Sequence, residues 1–122
     1  MIGINVRVDA EAGVDYPALI LTGEKGLETR NSPSLHPYLN KRVAIVRTGA
    51  GKAEAIGMVT IADYFIMEEF EFRMARHLHH VPKGSAFDVK PGGRKWCYLL
   101  RDPEFFPEPR PVAHGIIARQ VL

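Results

Sequence analysis

The chain has 122 residues, of which 46% are hydrophobic and 25% are charged, and its formal net charge is +2. This makeup predicts one globular domain over residues 1–122 and excludes an intrinsically disordered chain. No apolar run approaches the roughly 20 residues that cross a bilayer, and the first residues lack the basic and apolar regions of a signal peptide, so we expect a cytoplasmic protein with no membrane partner.

A strand and a short helix are predicted at the beginning of the chain. Apolar residues recur with period two over residues 2–8, as a half-buried strand requires. The run DYPALILTG predicts a helix that Asp15 or Tyr16 caps. Pro17 suits its first turn, and Gly23 suits a left-handed end.

The next segment, GEKGLETRN, concentrates charge directly after an apolar run. Its LETR part predicts a strand, on which side chains two residues apart share a face. Glu28 and Arg30 would then lie on one face, with Leu27 and Thr29 on the other. We expect an apolar face against the core and a charged face that is available for a ligand.

A hairpin is predicted in the middle of the chain. The runs RVAIVRT and EAIGMVTIADY indicate two strands over residues 42–48 and 54–64. Between them, GAGK at residues 49–52 has only part of a phosphate-loop pattern, and we interpret it as the hairpin turn.

An amphipathic helix is predicted over residues 65–78. Ile66, Phe70, Met74 and Leu78 recur at every fourth residue, which is typical of the buried stripe of a helix.

The last third of the chain predicts a long loop over residues 79–94, a strand in KWCYLL, a proline-rich connection over residues 101–111 and a last strand in VAHGIIARQVL. The single cysteine, Cys97, lies among large apolar residues, so we expect a buried, inert thiol. Five or six short strands with two helices predict an α+β fold, a small curled sheet or open barrel with helices at its edges.

Charge is unevenly distributed along the chain. Residues 9–24 hold four carboxylates and no lysine or arginine, whereas residues 73–101 hold seven basic residues and one aspartate. The basic region indicates either a positive potential that favours phosphate-bearing ligands or a solvated surface spread over several faces. His77, His79 and His80 lie in this region without the companions that zinc sites require, so we expect a solvated or phosphate-facing cluster and no metal.

The residues themselves resemble a known family. Gly23, Lys25, Glu28 and Arg30 form a GxKxxExR pattern after an apolar helix end, which is similar to the signature of ASCH domains, relatives of PUA domains. The hairpin, the KWCYLL strand and the PRPVAHG segment continue the resemblance in the same order, roughly over residues 16–122. The resemblance implies a small mixed-strand PUA-like β-barrel with flanking short helices.

The resemblance also implies a function. ASCH domains are thought to bind RNA or nucleotides in a cleft beside this motif, and one bacterial branch hydrolyses acetylcytidine with a lysine, a threonine three residues later and a glutamate from the helical region. Lys25 matches the lysine, whereas Glu28 occupies the threonine position. For the third residue, the helical region offers Glu68, Glu69 and Glu71.

The chemistry of the cluster agrees with an RNA or nucleotide-like ligand and needs no cofactor. Lys25 and Arg30 suit phosphate contacts, and Glu28 suits the amino group of a base. Lys95 adds a further cation, and Trp96 offers either a stacking face or core packing. Three alternatives remain: a hydrolase of a modified nucleoside or of RNA, with Lys25 and Glu28 as acid and base; a protein-interaction module; and a purely structural ion-pair network.

Overall fold

The computed structural model describes residues 1–122 as six strands and three short α-helices. The strands are β1 Ile2–Arg7, β2 Leu27–Arg30, β3 Lys41–Thr48, β4 Glu54–Glu68, β5 Arg94–Pro111 and β6 Ala118–Gln120. The helices are α1 Tyr16–Thr22, α2 Glu69–Met74 and α3 Arg76–His79, and a 3-10 turn spans His36–Tyr38.

All six strands belong to one sheet, in the order β2-β5-β4-β3-β1-β6. The β1 and β3 strands are parallel, and the other neighbours are antiparallel, so the sheet is mixed as predicted. The predicted barrel is not confirmed, because β2 and β6 form the two edges and no ladder joins them. A gap therefore separates β2 from β1 and β6.

Helix α1 begins and ends at the predicted signals. The Oδ1 of Asp15 accepts a hydrogen bond from Ala18 N over 3.2 Å, and Gly23 follows the helix with φ of 86°. Leu21 packs so closely on the sheet that a Cβ at Gly57 would lie 2.6 Å from its Cδ1 and would collide with the carbonyl oxygen of Glu104. Glycine at position 57 thus lets the helix sit directly on β4 and β5.

The predicted amphipathic helix over residues 65–78 is wrong in its extent and in its buried face. Strand β4 continues to Glu68, because this segment pairs with β5, and two short helices follow. Phe70 is 75% exposed and Met74 is 66% exposed. The side chains of this region that are buried are those of Phe72, Ala75 and His79.

The predicted proline-rich connection is the second half of strand β5. Residues 101–111 pair with β4 on one side only, because β2 reaches only residues 96–99 on the other side. A proline lacks the N–H donor that a central strand needs, and an edge tolerates this loss. The prolines therefore lie where β5 is an edge strand.

The hairpin of β3 and β4, with its turn at residues 49–52, and the strand over KWCYLL are confirmed. Cys97 is fully buried, and burial raises the pKa of its thiol to about 11. The thiol is therefore protonated at neutral pH, as expected of an inert cysteine. None of the helices has the length and apolar character that crossing a membrane requires.

Candidate functional site

A cavity of about 440 Å³ lies in the gap between β2 and β1, with the segment before β6 as a further wall. Its charged lining residues are Arg7, Lys25, Glu28, Arg30, Lys95 and Arg119. Five cationic side chains thus face the same space as one carboxylate. Four of the six were predicted as site residues, and the fold brings those four together.

Lys25 is held in place by the turn that follows α1. Its backbone N donates to the carbonyl oxygen of Leu19 over 2.9 Å, which bends the chain back over the helix end. Its side chain is buried, and Nζ donates to His79 O over 2.7 Å and lies 3.6 Å from Oε1 of Glu28. Burial lowers the pKa of Lys25, and the neighbouring carboxylate of Glu28 opposes this effect. The site therefore contains a desolvated, fixed amine.

Glu28 connects Lys25 with Arg30. Its Oε2 accepts from Arg30 Nε over 3.0 Å and lies 2.9 Å from Arg30 Nη2, while its Oε1 faces Lys25. The shared face predicted for Glu28 and Arg30 is confirmed by this contact. Both faces of β2 are nevertheless covered, because Glu28 is buried as well as Leu27.

Asn5 joins the opposite walls of the cavity. Its backbone carbonyl oxygen accepts a hydrogen bond from Arg30 Nη2 over 2.6 Å. The side chain of Arg30 therefore connects β2 with β1, although no backbone ladder joins these strands. Its Nδ2 donates to Ile116 O over 2.7 Å and to Gly115 O over 3.1 Å, and its Oδ1 accepts from Arg119 Nε over 2.9 Å. No local pattern in the sequence indicates this role, because each of these partners is distant along the chain.

Lys95 reaches the cavity from β5. It is 3% exposed, and its Nζ has no hydrogen bond or ion pair within the protein. The ammonium lies 5.9 Å from the centroid of the Phe72 ring. Burial lowers the pKa of Lys95, and the negative charge of Asp88 acts in the opposite direction. Among the seven basic residues between positions 73 and 101, Lys95 alone lines the cavity.

Trp96 does not line the cavity. It lies opposite Arg30 in the ladder of β2 and β5, packs partly buried against the core, and has the guanidinium of Arg94 5.7 Å from its ring. The aromatic residues that do line the cavity are Tyr16 and Phe87, whose rings meet edge to face with centroids 5.8 Å apart. These two rings are the aromatic part of the cavity lining.

The three glutamates of the helical region lie outside the cavity. Glu69 pairs with Arg73 over 2.8 Å and accepts from Gly92 N, and Glu71 accepts from the backbone N of Glu68 over 3.2 Å. Their carboxylates thus stabilise α2 and the neighbouring loop. Glu28 is the single carboxylate that lines the cavity.

The predicted solvated or phosphate-facing histidine cluster is wrong for His79. Its ring is fully buried and stacks on Phe72 with centroids 3.9 Å apart. Because Nδ1 accepts from Val81 N over 2.9 Å, the proton is on Nε2, which donates to Phe72 O over 2.6 Å. Burial lowers the pKa of His79 to about 4, so the ring is neutral at pH 7. His79 thus supports the backbone carbonyl that holds Lys25.

Comparisons with known proteins were made for both the sequence and the fold. No family model matches the sequence. Among curated proteins, it is 30% identical over 95 residues to part of the replicase polyprotein 1ab of Alphamesonivirus 1. That match covers 73% of this chain, and the chain spans 2% of the polyprotein.

The fold is similar to that of crystal structures of ASCH from Zymomonas mobilis. One superposes with a TM-score of 0.65 at 18% identity, over 84% of this chain and 69% of that chain. A tyrosine-to-phenylalanine variant gives 0.64 at 18% identity over 88% and 73% of the two chains, and a serine-to-alanine variant gives 0.61 at 19% identity over 88% and 72%. The chain therefore has the fold of the ASCH domains.

Proposed function

We propose that the chain binds RNA or a nucleotide-like ligand in the cavity between β1 and β2, through Lys25, Glu28, Arg30 and Lys95. The observation that carries this proposal is the charge of the lining, with five cationic side chains against one carboxylate. A concave site whose charged groups are mainly cations raises the local concentration of anions. Its volume of about 440 Å³ lies in the range of roughly 300–1,000 Å³ that is usual for small-ligand sites.

Each part of the cavity suits one part of a nucleotide. The guanidinium of Arg30 is a planar fork that binds phosphate oxygens or the edge of a base with two parallel hydrogen bonds. The carboxylate of Glu28 accepts hydrogen bonds from an amino group, and the ring of Phe87 provides a face for a base. The likeness to ASCH domains and to part of a polyprotein named a replicase supports a nucleic-acid ligand.

Equilibrium titration tests this proposal directly. The purified protein is titrated with short single-stranded RNA and with the four ribonucleoside 5′-monophosphates, at about 50 mM and 200 mM salt. We expect saturable binding that weakens as salt rises, because phosphate contacts displace counterions. Saturable binding that does not depend on salt would count against contacts with phosphate, and the absence of binding to any of these ligands would refute the proposal.

A hydrolase is the second candidate, and the separation of 3.6 Å between Lys25 Nζ and Glu28 Oε1 favours it. In the hydrolysis of an N-acylated base, Glu28 would take a proton from water as the water oxygen attacks the acyl carbon. Lys25 would give a proton to the departing amine as the C–N bond breaks. The proton on Glu28 would then return to Lys25, which restores both groups.

Product analysis separates binding from turnover. The protein is incubated with a pool of acylated nucleosides and RNA, and the products are identified by mass spectrometry. Turnover by the wild type that is lost in Lys25→Met and in Glu28→Gln, under conditions where circular dichroism shows both variants to be folded, would establish the hydrolase. Bound but unchanged ligand would favour a binding domain, and the absence of both would favour a protein-interaction module.

A further inference from the structure

The cationic side chains that line the cavity differ in whether the protein provides them with hydrogen-bond acceptors. Lys25 donates to His79 O and faces Glu28, and Arg30 donates to Glu28 and to Asn5 O. Arg119 donates to the side chain of Asn5 and to a backbone carbonyl. These three cations therefore have acceptors within the protein, and the guanidinium of Arg7 belongs to a solvent-exposed residue.

Lys95 has no hydrogen-bond acceptor within the protein, although the residue is almost completely buried. An ammonium carries three donors, and a buried charge without a partner opposes folding. Asp88, the carboxylate with the largest electrostatic effect on Lys95, is already engaged by Arg73 and by the backbone N–H groups of Gly84 and Val89. The protein thus offers no carboxylate to Lys95, and the ammonium faces the cavity instead.

We propose that Lys95 binds a phosphate group of the ligand, so that the cavity selects nucleoside phosphates over the uncharged nucleosides. This role rests on the proposed function and specifies the class of ligand, a phosphate-bearing one. A phosphate oxygen supplies the hydrogen-bond acceptor that the protein lacks at Lys95, and its negative charge compensates the charge of the ammonium. The phosphate of a mononucleotide and that of an RNA strand share this chemistry.

The test compares the wild type with Lys95→Met, which keeps the length of the side chain and removes the charge. Affinities are measured by calorimetry for a nucleoside 5′-monophosphate, for the same nucleoside, for a dinucleoside monophosphate and for inorganic phosphate. We expect the wild type to bind the monophosphate at least about tenfold more tightly than the nucleoside. In Lys95→Met this difference should disappear, with the affinity for the nucleoside unchanged.

Thermal unfolding without ligand provides an independent measurement. Because the variant removes a largely desolvated charge that has no partner within the protein, its Tm should equal or exceed that of the wild type. Lys90→Met, at an exposed position in the preceding loop, is the matched control and should change neither affinity nor Tm. If Lys95→Met does not fold, Lys95→Gln replaces it. Stabilisation of the wild type by monophosphate but not by nucleoside tests the selectivity without any variant.

The results separate this inference from the proposed function. Equal affinity of the wild type for nucleoside and monophosphate would overturn the phosphate role and leave nucleotide binding intact. Selectivity that survives in Lys95→Met would overturn the assignment to Lys95. Binding of neither nucleotides nor short RNA would refute the proposed function, and the inference with it. Tighter binding of the dinucleoside monophosphate than of the monophosphate would support an RNA phosphodiester at Lys95, and the reverse order would support a terminal phosphate.

Discussion

Glu28 and Arg30 lie two residues apart on β2, and Arg30 Nε donates to Glu28 Oε2 over 3.0 Å. The other oxygen of the same carboxylate lies 3.6 Å from Lys25 Nζ. One carboxylate therefore balances two cations at a place that is largely removed from water. The charges of GEKGLETRN form a connected network, and this network borders a cavity.

Replacing Glu28 by Gln should destabilise the fold strongly. The substitution leaves Lys25 buried without its carboxylate, and breaking a buried ion pair on one side costs about 3–5 kcal/mol. Urea denaturation at pH 7 measures the loss of free energy of unfolding. Glu104→Gln is the control, since Glu104 pairs with Arg42 at the surface and should cost less than about 1 kcal/mol. Equal effects of the two substitutions would show that the network at Glu28 is solvated.

Replacing Arg30 by Ala should weaken ligand binding while the domain stays folded. Asn5 O and Glu28 each lose a charged donor, so we expect a stability loss of about 1–3 kcal/mol. The affinity for RNA or nucleotide should fall about tenfold or more, which titration of the folded variant measures. Arg42→Ala removes an arginine outside the cavity and should leave affinity unchanged. Unaltered affinity in a folded Arg30→Ala protein would remove Arg30 from the site.

His79 should make stability depend on pH between 6.5 and about 4. Its pKa in the folded protein is about 4, below its ordinary value of 6.5, so the unfolded chain binds more protons in this window. Its stabilising contribution is complete above pH 6.5 and is lost as the pH falls towards 4, by roughly 3 kcal/mol in total.

Urea denaturation at several pH values checks this prediction. His79→Gln should show a shallower fall in stability between pH 6.5 and 4 than the wild type, whereas His77→Gln, at an exposed position, should fall as the wild type does. Identical pH profiles for the wild type and His79→Gln would show that His79 is not buried in its neutral form.

Phe70 and Phe72 should respond oppositely to truncation, although only one residue separates them. Phe72 is fully buried against His79, so Phe72→Ala should cost about 3–5 kcal/mol. Phe70 is largely exposed, so Phe70→Ala should change stability by less than about 0.5 kcal/mol. Thermal or urea unfolding of both variants gives the comparison. A larger cost at Phe70 would favour the helix face that the spacing of residues 66–78 predicted.

Local signals predicted those parts of the fold that local interactions determine. Helix α1 carries a capping aspartate, a proline in its first turn and a glycine at its end, and all three act as expected. The turn at residues 49–52 likewise formed the hairpin. The spacing of apolar residues mispredicted residues 65–78 for two reasons. Up to Glu68 the segment pairs with β5 as a strand. In the helices that follow, an apolar repeat of four residues does not show which helix face packs against the rest of the protein.

The candidate site was predicted most directly where its residues are close in sequence. Lys25, Glu28 and Arg30 lie within six positions, so a strand and a turn suffice to bring them together. Lys95 was predicted from the basic charge of its region. That it would lack a hydrogen-bond acceptor within the protein could not be predicted. For Trp96 the sequence left a stacking face and core packing open, and the residue packs against the core; alternation along a strand does not show which side of the sheet borders a cavity.

The contacts of Asn5 have a consequence for the order of folding. Its side chain contacts Gly115 and Ile116, which lie 110 and 111 positions further along the chain, and such contacts require large loop closures. The hairpin of β3 and β4 needs only local closure and should form early. The wall at Gly115 and Ile116 should therefore be completed in the last step of folding. Until then, the motif of Lys25, Glu28 and Arg30 exists without the surface that makes it a cavity.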